Sequence, residues 1–438
     1  MKNGTILALM ASGLMGCMSD AGGDTGGGLV SMFKPADQKT EIATKNAETP
    51  KPKNADNSLI IDGLQSRRSV LKRGSAYAQV ADAVLAANSR AAEAELRSAR
   101  LRAQAASKNW LPSIGPNISL SSLGDLVASL IIEQVLFDNG RKKAERAFAK
   151  ADVEVAAVTL SEDTNNRVYE GLALYLAAEE GREKVRLADV ALKDMRHFEW
   201  VMNERVQGGV SNMSDLNITR HKLAEMESAR AAAAEQTNAA LAELGAMTAL
   251  SVDDVRGVSA VPLREAEPLS VVLAEAEKER RIAQATMERA GHLPGLKAGG
   301  TVGKGGGGIG LSVSSDKLIG LGTGASLKAI EATKEAASRQ VAEAREDANR
   351  NLRGKEQKLK ALDRQAAEAQ ALTAQAKANL DLFQAQYEAG QRQIMDVVGV
   401  YETFARQQQD QAELKYKAAR LRLEMARDLG LLADGERI

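Results

Sequence analysis

Where this chain lacks proline constrains its fold more than any other feature. The 438 residues include eight prolines, yet none lies between Pro116 and Pro262 and none follows Pro294. A helix interior excludes proline, whose ring removes a hydrogen bond and clashes with the preceding turn. The two proline-free runs are therefore where long helices can form. In the second run Leu359, Leu362, Ala366, Ala369, Thr373, Ala376, Leu380, Phe383 and Tyr387 step alternately by three and four. That spacing is a coiled-coil stripe without a break. Lys358, Lys360, Glu368, Lys377 and Asp381 fall off it. A helix over about 325–389 would be ~98 Å long, and one over about 141–206 ~99 Å, at 1.5 Å per residue.

The chain is also duplicated. Leu111-Pro112 recurs as Leu293-Pro294, and Gly209 with Asp215 recurs as Gly390 with Asp396. The offsets, 182 and 181, agree at landmarks about a hundred residues apart, which marks an internal repeat. Each copy reads as helix, charge-poor segment, long helix, turn, helix. The copies span 76–248 and 268–432, joined by an irregular linker at 249–267 and followed by a tail at 433–438. Composition fits this plan. Alanine accounts for 75 residues and aromatics for 3%. Such a chain builds long packed helices in preference to one large core. Lys plus Arg equals Asp plus Glu at 58, which removes a bulk electrostatic case for binding nucleic acid.

The charge-poor segments read as strands. Gly308-Ile309-Gly310-Leu311-Ser312-Val313-Ser314 alternates strictly. In the first copy Ile114, Ile118 and Leu120 precede a turn at Ser121-Ser122-Leu123-Gly124, and Leu126 to Leu136 follows almost without charge. Alternation of this kind suits a membrane barrel. Four strands cannot enclose a useful lumen, and lipid tolerates no open sheet edge. If these strands enter a membrane, several chains must share one barrel.

The N-terminus reads as an address. Lys2, the apolar run Ile6 to Ala11 and the small residues before Cys17 describe a secretory signal over 1–17. Leu14-Met15-Gly16-Cys17 resembles a bacterial lipobox, whose cysteine is lipidated; an ordinary signal with an incidental cysteine is the alternative. Cys17 is the only cysteine, so the chain has no intramolecular disulfide. Residues 18–75 read as a flexible tether.

Over about 76–432 the chain resembles the TolC family of bacterial outer-membrane efflux and secretion channels. The resemblance rests on Trp110-Leu111-Pro112-Ser113-Ile114, on Val135-Leu136-Phe137-Asp138-Asn139-Gly140-Arg141, and on two tip turns. These are Glu204-Arg205-Val206-Gln207-Gly208-Gly209-Val210-Ser211-Asn212-Met213-Ser214-Asp215-Leu216 and Tyr387-Glu388-Ala389-Gly390-Gln391-Arg392-Gln393-Ile394-Met395-Asp396-Val397-Val398. The resemblance implies a mainly α fold with a small β part, and a homotrimer. Its twelve strands would form one barrel in outer-membrane lipid, and its twelve helices a periplasmic tunnel. It implies an inner-membrane pump and a periplasmic adaptor docked at the tip turns Gly209, Val210, Ser211, Gly390 and Gln391. It implies a gate in which Tyr387 and Arg392 bond to Ser214 and Asp215, with Asp396 ringing the entrance. A second acidic position three residues on is Gly399 here, so the lock should be weaker and the ring less acidic. Gly209 and Gly390 also read as plain helix C-caps, and Ser214 and Asp215 as first-turn residues.

Other chemistry finds little support. Ala298-Gly299-Gly300-Thr301-Val302-Gly303-Lys304-Gly305 fails as a phosphate loop, since Gly follows Lys304 where Ser or Thr is needed. His197, His221 and His292 lack metal-ligand spacing. No frame for a catalytic nucleophile surrounds any Ser or Cys. The chain is expected to be no enzyme and to hold no cofactor. The competing reading is a periplasmic adaptor or coiled-coil scaffold lipoprotein, but adaptors usually carry one helical hairpin between β-rich domains.

Overall fold

A computed structural model describes residues 58–87, 91–120, 126–303, 306–317 and 320–437. The signal segment, Cys17, the tether up to residue 57 and the turn at 121–124 lie outside the described residues.

Two helices dominate. α4 spans Arg141–Gln207 and α7 spans Thr323–Glu388, 67 and 66 residues. Each turns back into a shorter helix, α5 (Met213–Met247) and α8 (Ile394–Asp428), both 35 residues. Ahead of the strands stand α3 (Ala91–Ser107) and α6 (Leu269–Gly291). A shorter α2 (Ala76–Ala86) precedes α3. The strands are β1 (Ser113–Leu120), β2 (Leu126–Phe137), β3 (Gly295–Gly303) and β4 (Gly306–Ser314).

The long helices form where proline is absent, and their burial follows the heptad stripe. On α7 Ala369 and Leu380 are buried and the other seven stripe residues half-buried, whereas Lys358, Lys360, Glu368, Lys377 and Asp381 are exposed. The helices make one layer. Beside the strands α4 packs against α3 and α6, and α6 against α7. Beyond the middle α4 packs against α5 and α8, and α8 against α7. The order is therefore α3-α4-α6-α7 in one half and α5-α4-α8-α7 in the other. Small residues let these helices approach. A Cβ on Gly181 of α4 would collide with the Thr237 hydroxyl of α5.

The sheet order is β1-β2-β3-β4, antiparallel throughout, so the two repeats meet where β2 pairs with β3. The largest core sits midway along the helices. There Tyr77 of α2 and Tyr175 of α4 meet edge to face at 6.1 Å, among Val168, Leu172, Leu244 and Leu423. The irregular stretch 248–268 crosses this level. The Tyr175 hydroxyl donates to the Gly257 carbonyl at 2.8 Å, and the Gly257 N–H donates to Glu179 at 2.8 Å.

The expectation of a loose tether to residue 75 is corrected over its last part. Leu59–Gln65 forms α1, capped by the Ser58 hydroxyl, and Leu64 is buried against Leu160 and Leu269. Val70 and Leu71 enter the central core. Arg67 donates to the Leu429 carbonyl at 2.6 Å and the Glu267 carbonyl at 2.8 Å. The Val70 N–H donates to the Leu431 carbonyl, and the Gly435 N–H to the Arg67 carbonyl. Contacts from about a hundred to more than 350 residues away in sequence hold this stretch, and no local period announces them. The C-terminal segment is fixed in turn: buried Asn165 of α4 accepts from the N–H groups of Leu432 and Ala433 at 2.8 and 3.3 Å.

Candidate functional site

The register separates the sheet into two chemically distinct faces. Ile114 lies opposite Ile132, Ile132 opposite Gly300, and Gly300 opposite Ile309. Pro116, Leu130 and Val302 form a second row, and Gln134, Ala298 and Leu311 a third, in which Gln134 is the polar exception. All point to one side, because side chains in a paired row share a face. Nothing among the described residues covers that side: Ile114 is 65% exposed, Leu311 71% and Ile309 96%. The other side carries Asn117, Ser129, Thr301, Ser312 and several glycines, with Ile131 and Val135 as exceptions. Its one described ion pair joins Lys297 to Glu133 at 3.0 Å. β1 and β4 each leave one edge unpaired.

A compact joint leads from sheet to helix. Asn139 (φ 54°) and Gly140 (φ 83°) are both left-handed and turn the chain into α4. The Asp138 carboxylate accepts from the N–H groups of Gly140 and Lys142 at 3.1 and 2.6 Å, closing the helix start. Asn139 donates to the Pro294 carbonyl at 2.8 Å, which ties the two repeats together. Trp110 and Phe137 stand exposed at this end of the strands.

At the far end both tip turns use the same backbone device. Gly209 and Gly390 have φ of 70° and 71°. The Val210 N–H reaches back to the Arg205 carbonyl at 2.8 Å, and the Gln391 N–H to the Gln386 carbonyl at 2.9 Å. These are Schellman closures, which need a residue without Cβ strain at that point. The next helices are capped differently. Asn212 accepts from the Asp215 N–H at 2.9 Å, whereas Gln393 and Asp396 form a reciprocal capping box.

The residues expected to form a gate divide. Tyr387 packs half-buried over Met202, Leu216 and Ile394, where the two hairpins meet. Arg392, in the turn itself, folds back onto α7, donating to Gln386 at 3.0 Å and standing 4.3 Å over the Phe383 ring. Ser214 is exposed and Asp215 half-exposed. Within the chain no described hydrogen bond joins either residue to Tyr387 or Arg392. Asp396 is exposed, its carboxylate 3.4 Å from the Gln393 N–H. Nothing lies within 4 Å of a Cβ placed on Gly399.

Sequence reasoning missed the polar links that do join the hairpins. The Tyr401 hydroxyl of α8 donates to Asp194 of α4 at 2.6 Å. Lys222 of α5 pairs with Glu402 of α8, and the Thr219 hydroxyl lies 3.4 Å from the Met395 sulfur. Burial raises the Tyr401 pKa, and the adjacent Asp194 carboxylate raises it further, so the phenol stays a donor. These residues lie on α4, α5 and α8, away from the stripe read on α7, and no local motif joins partners that stand 176 to 207 residues apart.

No family model matches the sequence, and a comparison with curated proteins returns no match. Solved structures do match. A membrane protein from Pseudomonas aeruginosa superposes with TM-score 0.72 at 16% identity, over 89% of this chain and 98% of that one. The outer-membrane channel OprN gives 0.71 at 16%, over 88% and 98%. The outer membrane protein VceC from Vibrio cholerae gives 0.67 at 15%, over 85% and 95%. The fold is that of the TolC-like outer-membrane efflux channels.

Proposed function

We propose that three copies of this chain close into one channel, a twelve-stranded barrel in the outer membrane continued by a twelve-helix tunnel across the periplasm. One observation carries the reading. Among the described residues the sheet has a mostly apolar face that nothing covers, a face of mostly small and polar side chains, and two open edges. Lipid would cover the first, water would fill the lumen against the second, and neighbouring copies would pair the edges. The strands, 8 to 12 residues long, suit a tilted span, which takes about 9–11. Trp110 and Phe137 sit where an aromatic girdle would meet the headgroups. Among the described residues no helix is long and apolar enough to cross a membrane.

Cargo, either small molecules or polypeptides, would pass from an inner-membrane pump through the tunnel without being chemically altered. The turns at Gly209, Val210, Ser211, Gly390 and Gln391 would receive a periplasmic adaptor. Tyr387, Arg392, Ser214, Asp215 and Asp396 would set how far the tip closes. Cys17 would carry the lipid anchor. Two measurements test the reading: native mass in detergent and membrane fractionation. A trimer that needs detergent and fractionates with the outer membrane is the expected result. A monomer released by salt would overturn it.

A further inference from the structure

The flanking helices of the layer, α5 and α7, each bury one face against their own hairpin partner and leave the opposite face bare. On α7 the bare face runs through Arg353, Lys360, Arg364, Ala371, Ala378 and Leu382, all exposed. On α5 it runs through Asn217, Ala224, Ser228, Glu235, Ala242 and Ala246, also all exposed. Both sets step by 7, 4, 7, 7 and 4, so each is a straight heptad seam that lacks a mate. Small side chains in both seams would let two backbones approach closely.

The charges on the two seams are opposite. Arg353, Lys360 and Arg364 have no ion-pair or hydrogen-bond partner among the described residues, and neither do Glu235 and Glu243 on α5. From residue 231 to 247 α5 carries those two glutamates and no Lys or Arg. Their levels also match. Glu235 lies 26 residues after Gly209, and Arg364 lies 26 residues before Gly390. Measured from the tip ends of the helices, Met213 and Glu388, they stand ~33 Å up α5 and ~36 Å up α7 at 1.5 Å per residue. Glu243, 34 residues up, falls between Lys360 and Arg353 at 30 and 37. The open sheet edges fall on the same flanks, since β1 follows α3 and β4 leads into α7.

We propose that the bare face of α7 docks antiparallel on the bare face of α5 in a second copy of this chain, with Arg364 opposite the neighbour's Glu235. A head-to-tail contact of this kind repeats around a ring and closes when the rotation allows. Complementary charges, Arg353, Lys360 and Arg364 in one seam against Glu235 in the other with Glu243 beside it, fix the register and exclude slipped pairings. The proposal rests on the ring reading above and adds to it the surface and the register.

Cysteine cross-linking of the full chain tests it. The double variant Glu235→Cys with Arg364→Cys, oxidised with copper phenanthroline in detergent, should run as a covalent trimer without reductant and as a monomer with it. Each single variant should stay monomeric on that gel. So should Glu225→Cys with Arg364→Cys, whose cysteines would lie ~15 Å out of level. All these positions are exposed, so folding is not at stake. A trimeric native mass without the cross-link, or with the Glu225 pair cross-linking instead, would overturn the register and leave the ring standing. A monomeric native mass would overturn both.

Discussion

At the scale of single residues, the tip separates what a motif supplies from what packing adds. Gly209 and Gly390 are required by backbone geometry, since each closes its helix with positive φ. Any role in docking is additional to that. Arg392 turns back onto Gln386 and Phe383 of α7. The space at Gly399 is open, so Gly399→Asp should fold normally. It should add three carboxylates to the ring and alter both conductance and divalent-cation block; unchanged values would remove Asp396 and position 399 from the gate. The link from Tyr401 to Asp194 gives a second test. Tyr401→Phe leaves a half-buried carboxylate without its donor, a loss of about 1–3 kcal/mol. Denaturant unfolding should register that loss, and the variant channel should open more readily.

Among the elements, the long helices were legible and the short ones were not. Proline gaps and the stripe from Leu359 to Tyr387 placed α7 within a few residues, because a periodic pattern over nine positions leaves few alternatives. The strands could be read from Ile309, Leu311 and Val313, whose alternation survives in the sheet. α1 could not, because seven residues carry too little period and Arg67 is held by carbonyls of Glu267 and Leu429. The tip turns could be placed from their motifs, but Lys222 with Glu402 could not, since the pair lies 180 residues apart. Helix contacts make their own predictions. Gly181→Ala would force α4 from α5 against Thr237 and the Ala233 carbonyl, costing about 1–3 kcal/mol. That exceeds the helix-propensity gain of about 1 kcal/mol. Gly354→Ala, with nothing within 4 Å, should show the gain alone, and melting temperatures of the two variants should move in opposite directions. Acid should loosen α4 from α8. Burial pushes the Glu183 pKa up, but hydrogen bonds from Lys415 and Tyr416 outweigh it and hold the carboxyl below its usual range. Its stabilisation is therefore full above the ordinary carboxylate range and lost as pH falls through the lower folded value. Glu183→Gln should flatten the pH dependence of unfolding in that acidic window.

For the whole molecule, the scarcity of aromatics takes on a structural meaning. Tyr77 and Tyr175 gather at the one level where α2, α4, α8 and the linker meet. A second aromatic group, Phe198, Tyr401 and Phe404, packs nearer the tip, while the many alanines among the buried residues keep the single layer thin, which suits the wall of a hollow assembly. Zero net charge likewise conceals a local arrangement, cations on the bare face of α7 and glutamates on that of α5. The central claim is that the two faces of the sheet look onto lipid and onto water. The most direct measurement is single-channel conductance of reconstituted protein carrying one new cysteine in β4, treated with a charged, membrane-impermeant thiol reagent. Ser312→Cys should be modified and its conductance should fall, while Leu311→Cys should conduct unchanged. Equal block at both positions, or the reverse order, would contradict the account.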